Sequence, residues 1–382
     1  MNILQPIKRI VYACGDYPAR RAERVAFRRG HRTAAKVLKN CPQPALSAAQ
    51  IEEIDRYWQR YGIKHPDYTW FQLFYGITGI HDPRFIPDSL CQSVLFKHYN
   101  DTAAIAGWDD KNLYDTLLPD IRFPATLAHI YRGNVFDPQW KYCGADELKA
   151  LARRIYDTLG DDKTIVVKHT RNTSTGRGVK LVPVNSADDV LHCIKANSRL
   201  NVILQERLHQ SAFLSQFCAS SVNIFRVITW KQGDTVHVLS ASVRFGIEGW
   251  HTDVAYVNGV EIVNAVGLDD DGRIRGRFVS MQGLYDREIH ITQPVVPNFD
   301  AVIDMVKRGH RRLKPFDIVA WDITQDQDNN PVCLEFNVTR PGTSLYQFAN
   351  GPFAGELTDD LLAFMLDKDF PRKSIPKTYR LT

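Results

Sequence analysis

The sequence predicts an α+β fold that begins with a mainly helical region and continues into two mixed lobes. Three observations support this prediction. Apolar residues recur at helical spacing early in the chain, buried strands alternate with helices in its middle, and hairpin signals dominate its last part. We therefore expect a helical region over residues 1–105 and two lobes over 106–210 and 211–382. A chain of 382 residues is long enough to bury cores of this size.

The first region combines a helix with aromatic turns. Ser47 is the predicted N-cap of a helix that carries Ile54 and Trp58 on one face and ends near Gly62. The stretches YTWFQLFYGITG and HDPRFIPDSL follow, and their Gly and Pro residues interrupt any long helix. Ten basic side chains against two acidic ones in residues 1–40 could meet an anionic membrane, a phosphorylated substrate or nucleic acid. A solvated helical face is the alternative, and no nucleic-acid-binding motif accompanies the charge.

The middle region alternates between helix and strand. Asp146 is the predicted cap of a helix that ends at Gly160, and the apolar stretch TIVVK at 164–168 predicts a buried strand. Ser186 is the predicted cap of the next helix, and NVILQ at 201–205 predicts another strand. These elements predict a compact α+β lobe.

The last region is mainly β. The turn KQGD joins VNIFRVITW to VHVLSASVR, and Asn258-Gly259 is a strong hairpin signal. Helices are expected around 298–313 and near 355–367.

Composition narrows the class of protein. The hydrophobic fraction of 44% and the charged fraction of 24% are typical of globular proteins, and no apolar run approaches the roughly 20 residues of a membrane span. The first residues show no convincing signal-peptide cleavage site. Seven scattered cysteines without a CxxC pair argue for free thiols in a reducing compartment, and against a disulfide framework or a zinc site. We expect a cytoplasmic protein, with peripheral contact at the inner face of the membrane through the basic segment.

The stretch from Asp317 to Gly342 predicts a hairpin that brings acidic groups together. If its turn centres on Asp328-Asn329, Asp322 lies opposite Glu335, and like charges in that position call for a cation. Asn337 lies two residues beyond Glu335 and therefore points to the same face. Two carboxylates and an amide oxygen suit Mg²⁺, with Mn²⁺ as an alternative ion. A solvent-facing polar strand edge would explain the hairpin equally well.

Two further segments are candidates for nucleotide contacts. Lys168 ends a strand and precedes a polar loop in which Gly176 and Gly178 permit close backbone approach to phosphate. A simple Gly-x-Gly hairpin is the commoner explanation. Glu206 lies just past a strand, where its carboxylate could accept from an adenine amino group, although an exposed charge at a strand end explains it as well.

Two arginines in the β-rich lobe, Arg226 and Arg244, could hold a carboxylate substrate through a bidentate fork. A structural ion pair is the alternative for each. His169, His209 and His251 could contact the nucleotide or deprotonate an acceptor, but lone histidines often serve in packing.

The order of these motifs along the chain indicates a protein family, although no single motif is specific enough to do so. The chain presents Asp110-Lys111, then FPAT, Lys168 with its GRG loop, QER at 205–207, Asp322, and LEFN at 334–337 followed by Arg340. In this ordered set, over about residues 106–350, the chain resembles the ATP-grasp superfamily. The flanking stretches QIEEIDRYWQRYG, WDDKNLYDTLLPDIRFPAT and RPGTSLYQFANGPFAGE look like its sugar-transfer-associated branch, to which teichuronopeptide-type ligases are related.

The resemblance implies a role for each matching position. Asp322, Glu335 and Asn337 would hold magnesium, and Arg340, Lys168 and Arg226 are the catalytic candidates, with Arg340 stabilising the transferring phosphoryl group. The residues implied to contact ATP are Lys111, Lys168, Thr175, Gly176, Gly178, Gln205, Glu206 and Leu208. Thr173 and Ser174 would belong to the same loop, which departs from glycine-rich relatives. GWHTDVAYVNG at 249–259 departs from the branch's usual Asn and paired glycines, which leaves the acceptor site open.

The resemblance also implies the chemistry. We expect an ATP-dependent carboxylate–amine ligase that joins an amino acid or amine to a carboxylated, free or lipid-linked sugar precursor through an acyl phosphate. Positioning and charge stabilisation dominate such phosphoryl transfer. A kinase that phosphorylates a hydroxyl and a non-catalytic nucleotide-binding partner are the alternatives. We expect no nucleic-acid partner.

Overall fold

The computed structural model describes residues 17–171, 178–285, 289–339 and 341–370, the side chains of residues 17–24 and 26 excepted. Its strands form two antiparallel sheets of five and eight strands. Helices cover the sheets and build most of the N-terminal region. The predicted α+β class is confirmed.

The N-terminal region is helical, as predicted. Ser47 forms a full capping box with Gln50, because each side chain accepts from the other residue's backbone N–H. The helices of this region are α1 Tyr17–Asn40, α2 Ala48–Gln59, α3 Tyr68–Thr78, α4 Asp88–Leu90 and α5 Phe96–Tyr99, and a π-helical turn at Cys91–Leu95 joins the last two.

The five-stranded sheet follows two short helices and a 3₁₀ turn. They are α6 Ile105–Trp108, the turn Lys111–Leu113 and α7 Tyr114–Leu117. The strand order is β2-β1-β5-β3-β4, and the two helices between the strands pack on one face of the sheet. The elements are β1 Thr126–Tyr131, β2 Asn134–Phe136, α8 Ala145–Thr158, β3 Thr164–His169, β4 Val179–Pro183, α9 Ala187–Asn197 and β5 Val202–Glu206.

The predicted caps of α8 and α9 have different outcomes. Ser186 caps α9 by accepting from the Asp189 N–H, as predicted. The prediction that Asp146 caps α8 was wrong, because the helix begins at Ala145 and Gly144 is the N-cap. Asp146 instead lies in the first turn, where a carboxylate interacts favourably with the helix dipole.

The eight-stranded sheet has the order β11-β10-β9-β7-β6-β12-β13, and β8 pairs with β9. Both predicted hairpins are confirmed, and Asn258 and Gly259 adopt positive φ in the second one. The elements are α10 Ala212–Ser215, β6 Ile224–Gln232, β7 Thr235–Phe245, β8 Val254–Val257, β9 Val260–Leu268, β10 Ile274–Ser280, β11 Gly283–Leu284, α11 Phe299–Arg312, β12 Ile318–Gln325, β13 Pro331–Asn337, α12 Ser344–Asn350 and α13 Thr358–Leu362, with 3₁₀ turns at Gly355–Leu357 and Ala363–Leu366.

Different helices pack on the two faces of the larger sheet. Helix α11 packs on one face, and the N-terminal helices pack on the other, where Ile228 and Ala320 are fully buried. Because alternate residues of a strand share a face, Arg226 and Asp322 point to the side that the N-terminal region covers. The candidate site therefore lies on that face.

Among the described residues, no helix is long and apolar enough to cross a bilayer.

Candidate active site

A cleft of about 360 Å³ lies between the two sheets. The smaller sheet contributes Val166, Lys168 and Leu181, and the larger sheet contributes Leu334 and Glu335. Other lining residues lie at the end of β5, in the connection between the lobes and in the larger lobe; they include Glu206, Leu208, His209, Ile224, Arg244, His251, Asp253 and Asp322. Charged groups and apolar walls thus share one cavity of a size that suits a small molecule.

The acidic hairpin forms with the predicted pairing. Asp322 of β12 lies directly opposite Glu335 of β13. A bulge follows, because Ile323 pairs with Cys333 and leaves Leu334 as the extra residue. Because of this bulge, the turn is shifted from the centre at Asp328-Asn329 that a regular ladder predicts. Leu334 itself lines the cleft.

Asp322 is held by two guanidinium groups. Arg226 donates to both carboxylate oxygens at 2.6 and 3.0 Å, and Arg244 lies 3.6 Å away. Asn337 also donates to Asp322, at 3.3 Å, which confirms that the two share a face. Burial raises the pKa of the Asp322 carboxyl, and the two arginines oppose that shift. The net shift of the Asp322 pKa is upward, so the ion pairs offset only part of the cost of burying this charge.

Arg226 has little capacity left for a substrate. Its remaining Nη1 group donates to Pro341 O at 2.8 Å, its side chain is 6% exposed, and it is not among the residues that line the cleft. This geometry favours the ion-pair alternative, and its catalytic role stays a prediction. Arg244 does line the cleft, although it is paired with Asp253.

Glu335 pairs with Lys111 across the cleft, with 3.1 Å between Nζ and Oε2. Burial on its own would raise the pKa of Glu335, but Lys111 overcomes that effect and the net shift is downward. Burial likewise lowers the pKa of Lys111, and Glu335 reverses the shift. Both groups are therefore charged at neutral pH.

Lys168 lies beside this pair and has no ion-pair partner within the described ranges. Burial, and secondly the positive charge of Lys111, lowers its pKa to about 8. An anion that enters the cleft would therefore stabilise the charged form of this buried lysine.

The segment that carries Lys111 is tied to the base of the predicted phosphate loop. The Lys111 N–H donates to Thr170 O at 3.1 Å, and Arg171 donates to the fully buried Asp110 at 2.7 Å. Asp110 also caps the turn through the Asn112 N–H. Lys111 and Lys168 are therefore held in one local unit.

Part of the predicted loop lies outside the described residues. This applies to Thr173, Ser174, Thr175 and Gly176, and also to Arg340. Gly178 is described, with φ of 86°, and a Cβ there would lie 2.6 Å from the His169 ring. It therefore needs to be glycine for the hairpin turn itself.

The three predicted adenine contacts lie at different depths. Glu206 and Leu208 line the cleft, and the Glu206 carboxylate accepts from the Ala125 N–H at 3.0 Å. Gln205 pairs with Val166 on the cleft face but is only 7% exposed, and its amide donates to Pro124 O. Gln205 is not among the residues that line the cleft.

The sequence reasoning missed the apolar walls of the cleft and Asp253. Period-two alternation from Lys168 would have placed Val166 on the same face. Asp253 carried no such signal, because it lies in the irregular segment between β7 and β8.

The comparison with family models gives one match, to sugar-transfer-associated ATP-grasp proteins over residues 91–359. The chain belongs to this family. The expected ATP-grasp fold is confirmed by this membership. A comparison with curated proteins found no match.

Solved structures with some likeness to this family member include several ligases. ATP-grasp ligase PsnB with its minimal precursor is 17% identical over 69% of this chain and 63% of PsnB, with a TM-score of 0.38. D-alanyl-alanine synthetase A from Vibrio cholerae is 12% identical over 73% of this chain and 65% of its own length, with a TM-score of 0.36. The chain thus spans less than two thirds of either protein. The family assignment rests on the family match alone.

The acidic hairpin of this ATP-grasp protein fits a cation that is shared with a ligand. Asp322 and Glu335 place carboxylate oxygens on the same face as Asn337, whose amide nitrogen donates to Asp322, and carboxylate oxygen is the ligand chemistry that Mg²⁺ prefers. No group of three or more His, Cys, Asp or Glu side chains within the described ranges could hold a metal ion. A cation here would therefore need oxygen atoms from the nucleotide or water.

Proposed function

We propose that this protein is an ATP-dependent carboxylate–amine ligase. It would join an amino acid or another amine to a carboxylated sugar or glycan precursor through an acyl phosphate. The observation that carries the proposal is that Lys111, Lys168 and Glu335 meet in one cleft between the two sheets.

The cleft supplies what phosphoryl transfer from ATP needs. Lys111 and Lys168 would bind the phosphates, and the apolar surfaces of Val166, Leu181 and Leu334 would receive the base. Arg244 supplies a further cation near Asp322, where charge develops as the phosphoryl group moves. Asp322, Glu335 and Asn337 would hold Mg²⁺, which would neutralise charge on the phosphates.

The reaction has two steps. A carboxylate oxygen of the sugar attacks the γ-phosphorus, the bond to ADP breaks, and an acyl phosphate forms. The amine nitrogen then attacks the carbonyl carbon, the C–O bond to phosphate breaks, and an amide and free phosphate result. In the first step Lys111 and Lys168 would hold the phosphates in line with the attacking oxygen.

Product analysis tests this proposal. ATP, a uronic acid and an amino acid should give ADP and free phosphate in equal amounts, with a mass gain of the amino acid minus water. Arg340→Ala should slow both phosphate release and amide formation through lost charge stabilisation. A stable phosphoester in place of the amide would select a kinase instead.

A further inference from the structure

The segment 105–121, which carries Lys111 and precedes β1, packs with the larger sheet. Tyr114 and Leu118 are buried in the same hydrophobic core as Phe336 of β13. The ring centroids of Tyr114 and Phe336 lie 4.6 Å apart. The backbone of this segment is therefore fixed to the larger lobe.

The same segment is bonded to the smaller sheet at residues 110 and 111. Arg171, two residues beyond the end of β3, donates from Nε to the Asp110 carboxylate at 2.7 Å. The Lys111 N–H donates to Thr170 O at 3.1 Å. Lys111 thus lies where the two lobes meet, and both bonds act on the backbone around it.

The next residue forms a third bond to the smaller sheet. The Asn112 side-chain oxygen accepts from His129 Nδ1 of β1 at 2.9 Å, because an amide oxygen cannot donate. Both side chains are fully buried, and burial lowers the pKa of His129. Neutral His129 therefore holds this segment against the smaller sheet without adding a charge.

Asp110 caps the turn that presents Lys111. The turn Lys111–Leu113 is a single 3₁₀ turn, and the Asp110 carboxylate accepts from the Asn112 N–H at 3.1 Å. So short a helical piece has little stability of its own. The capping carboxylate is fully buried, and within the described ranges Arg171 is the only cation that pairs with it. The ion pair therefore fixes the cap, and the cap fixes the start of the turn.

The charged end of Lys111 lies in the cleft, whereas Arg171 lies outside it. Lys111 Nζ lies 3.1 Å from Glu335 Oε2, and both residues line the cleft. Arg171 is not among the residues that line the cleft, and its guanidinium lies 5.8 Å from the centroid of the Tyr131 ring. Arg171 is thus linked to the cleft through Asp110 and Lys111.

We propose that Arg171 and Asp110 are positioning residues for Lys111. Their ion pair holds the capped turn so that the Lys111 ammonium group meets the phosphates of a bound nucleotide, while neither residue touches the nucleotide. This inference deepens the proposed ATP-dependent function and rests on it, because that function assigns Lys111 to the phosphates.

The affinity for AMP-PNP with Mg²⁺, measured by titration calorimetry, tests this role. Arg171→Gln should weaken binding about tenfold, because a small displacement of a charged group weakens the contacts that it makes. Arg171→Lys should stay within about threefold of wild type, because lysine can still pair with the buried carboxylate. Asp110→Asn keeps an oxygen for the cap but loses the ion pair, and it should weaken binding about as much as Arg171→Gln.

A double-mutant cycle separates positioning from other roles. In a Lys111→Met background, Arg171→Gln should cause no further loss of affinity, since the ammonium group that Arg171 positions is already gone. An equal loss in both backgrounds would show that Arg171 contacts the nucleotide directly or acts on the whole lobe, and it would overturn the inference. Unchanged affinity of folded Arg171→Gln and Asp110→Asn would also overturn it.

Arg199→Gln is the matched control, since Arg199 is an exposed arginine of the same lobe that does not line the cleft. It should leave the affinity for AMP-PNP unchanged, and thermal melting should show that each variant folds. If Arg171→Gln does not fold, Asp110→Asn takes its place in the cycle.

Failure of the ligase function shows separately, as the absence of hydroxamate when wild-type protein, a uronic acid and ATP react with hydroxylamine. Binding of AMP-PNP does not depend on that step. Wild-type protein that does not bind AMP-PNP would overturn the inference together with the ATP-dependent function.

Discussion

Lys111 and Glu335 form an ion pair across the cleft between the two sheets, with 3.1 Å between Nζ and Oε2. Lys111 belongs to the segment bonded to the end of β3, and Glu335 belongs to β13 at the edge of the larger sheet. The pair lies in the cleft, where the phosphates of ATP and a cation would each replace one partner. The positive and negative parts of the proposed site are therefore brought together by the fold itself.

Replacing Glu335 with glutamine should abolish ATP turnover. We expect a fall of at least about a hundredfold, because the cation would lose a charged ligand while the side chain keeps its shape. Phosphate release is the measurement, and Glu356→Gln, at an exposed carboxylate, is the control. Unchanged turnover by Glu335→Gln at limiting Mg²⁺ would contradict the metal assignment.

The activity should depend on pH through Lys168. Its pKa of about 8 means that it is charged below that pH and neutral above it, so kcat/KM for ATP should fall as pH rises through 8. Lys168→Arg keeps its charge throughout and should flatten the profile between about pH 6.5 and 9.5. A wild-type profile with no inflection near pH 8, or one that Lys168→Arg leaves unaltered, would count against this role.

Loss of Arg226 should destabilise the fold. Arg226→Ala leaves Asp322 buried with only the longer contact to Arg244, and we expect the free energy of unfolding to drop by about 3–5 kcal/mol. Urea denaturation measures the change. Arg312→Ala, which removes an exposed pair with Asp120, should cost no more than about 1 kcal/mol. Equal effects of the two substitutions would refute the prediction that Arg226 stabilises the fold by pairing with the buried Asp322 carboxylate.

The basic face of α1 should promote contact with anionic lipid. Arg28, Arg32, Lys36 and Lys39 are exposed at helical spacing, and attraction of this kind weakens with salt. Co-sedimentation with anionic vesicles should exceed that with neutral ones and fall when the four residues are changed to Gln. Equal sedimentation with both kinds of vesicle would contradict the prediction that α1 contacts anionic lipid.

Local patterns predicted much of this fold and site. The pairing of Asp322 with Glu335 follows from the hairpin, because a short connection between two apolar runs fixes the register. The bulge at Leu334 did not follow, since the same residues could have formed a regular ladder with a different turn. The ion pair of Arg226 with Asp322 joins residues 96 positions apart, so local spacing carried no signal for it.

The contact between Asp88 and Thr343 was also beyond local patterns. Asp88 and Thr343 are 255 positions apart, and only the packing of the N-terminal helices on the larger sheet brings them into contact. The basic excess around Arg29 was visible in the sequence, but the cavity that Arg29 lines, between α1 and the segment that follows β13, was not.

The fate of the γ-phosphate tests the ligase proposal most directly. Wild-type protein is incubated with γ-³²P-ATP, Mg²⁺, a uronic-acid precursor and hydroxylamine, and the sugar product is then examined for label and for hydroxamate. An acyl phosphate is reactive, so we predict hydroxamate on the sugar and all of the label in free phosphate. Label that stays on the sugar after hydroxylamine treatment would contradict the ligase proposal and establish a kinase in its place.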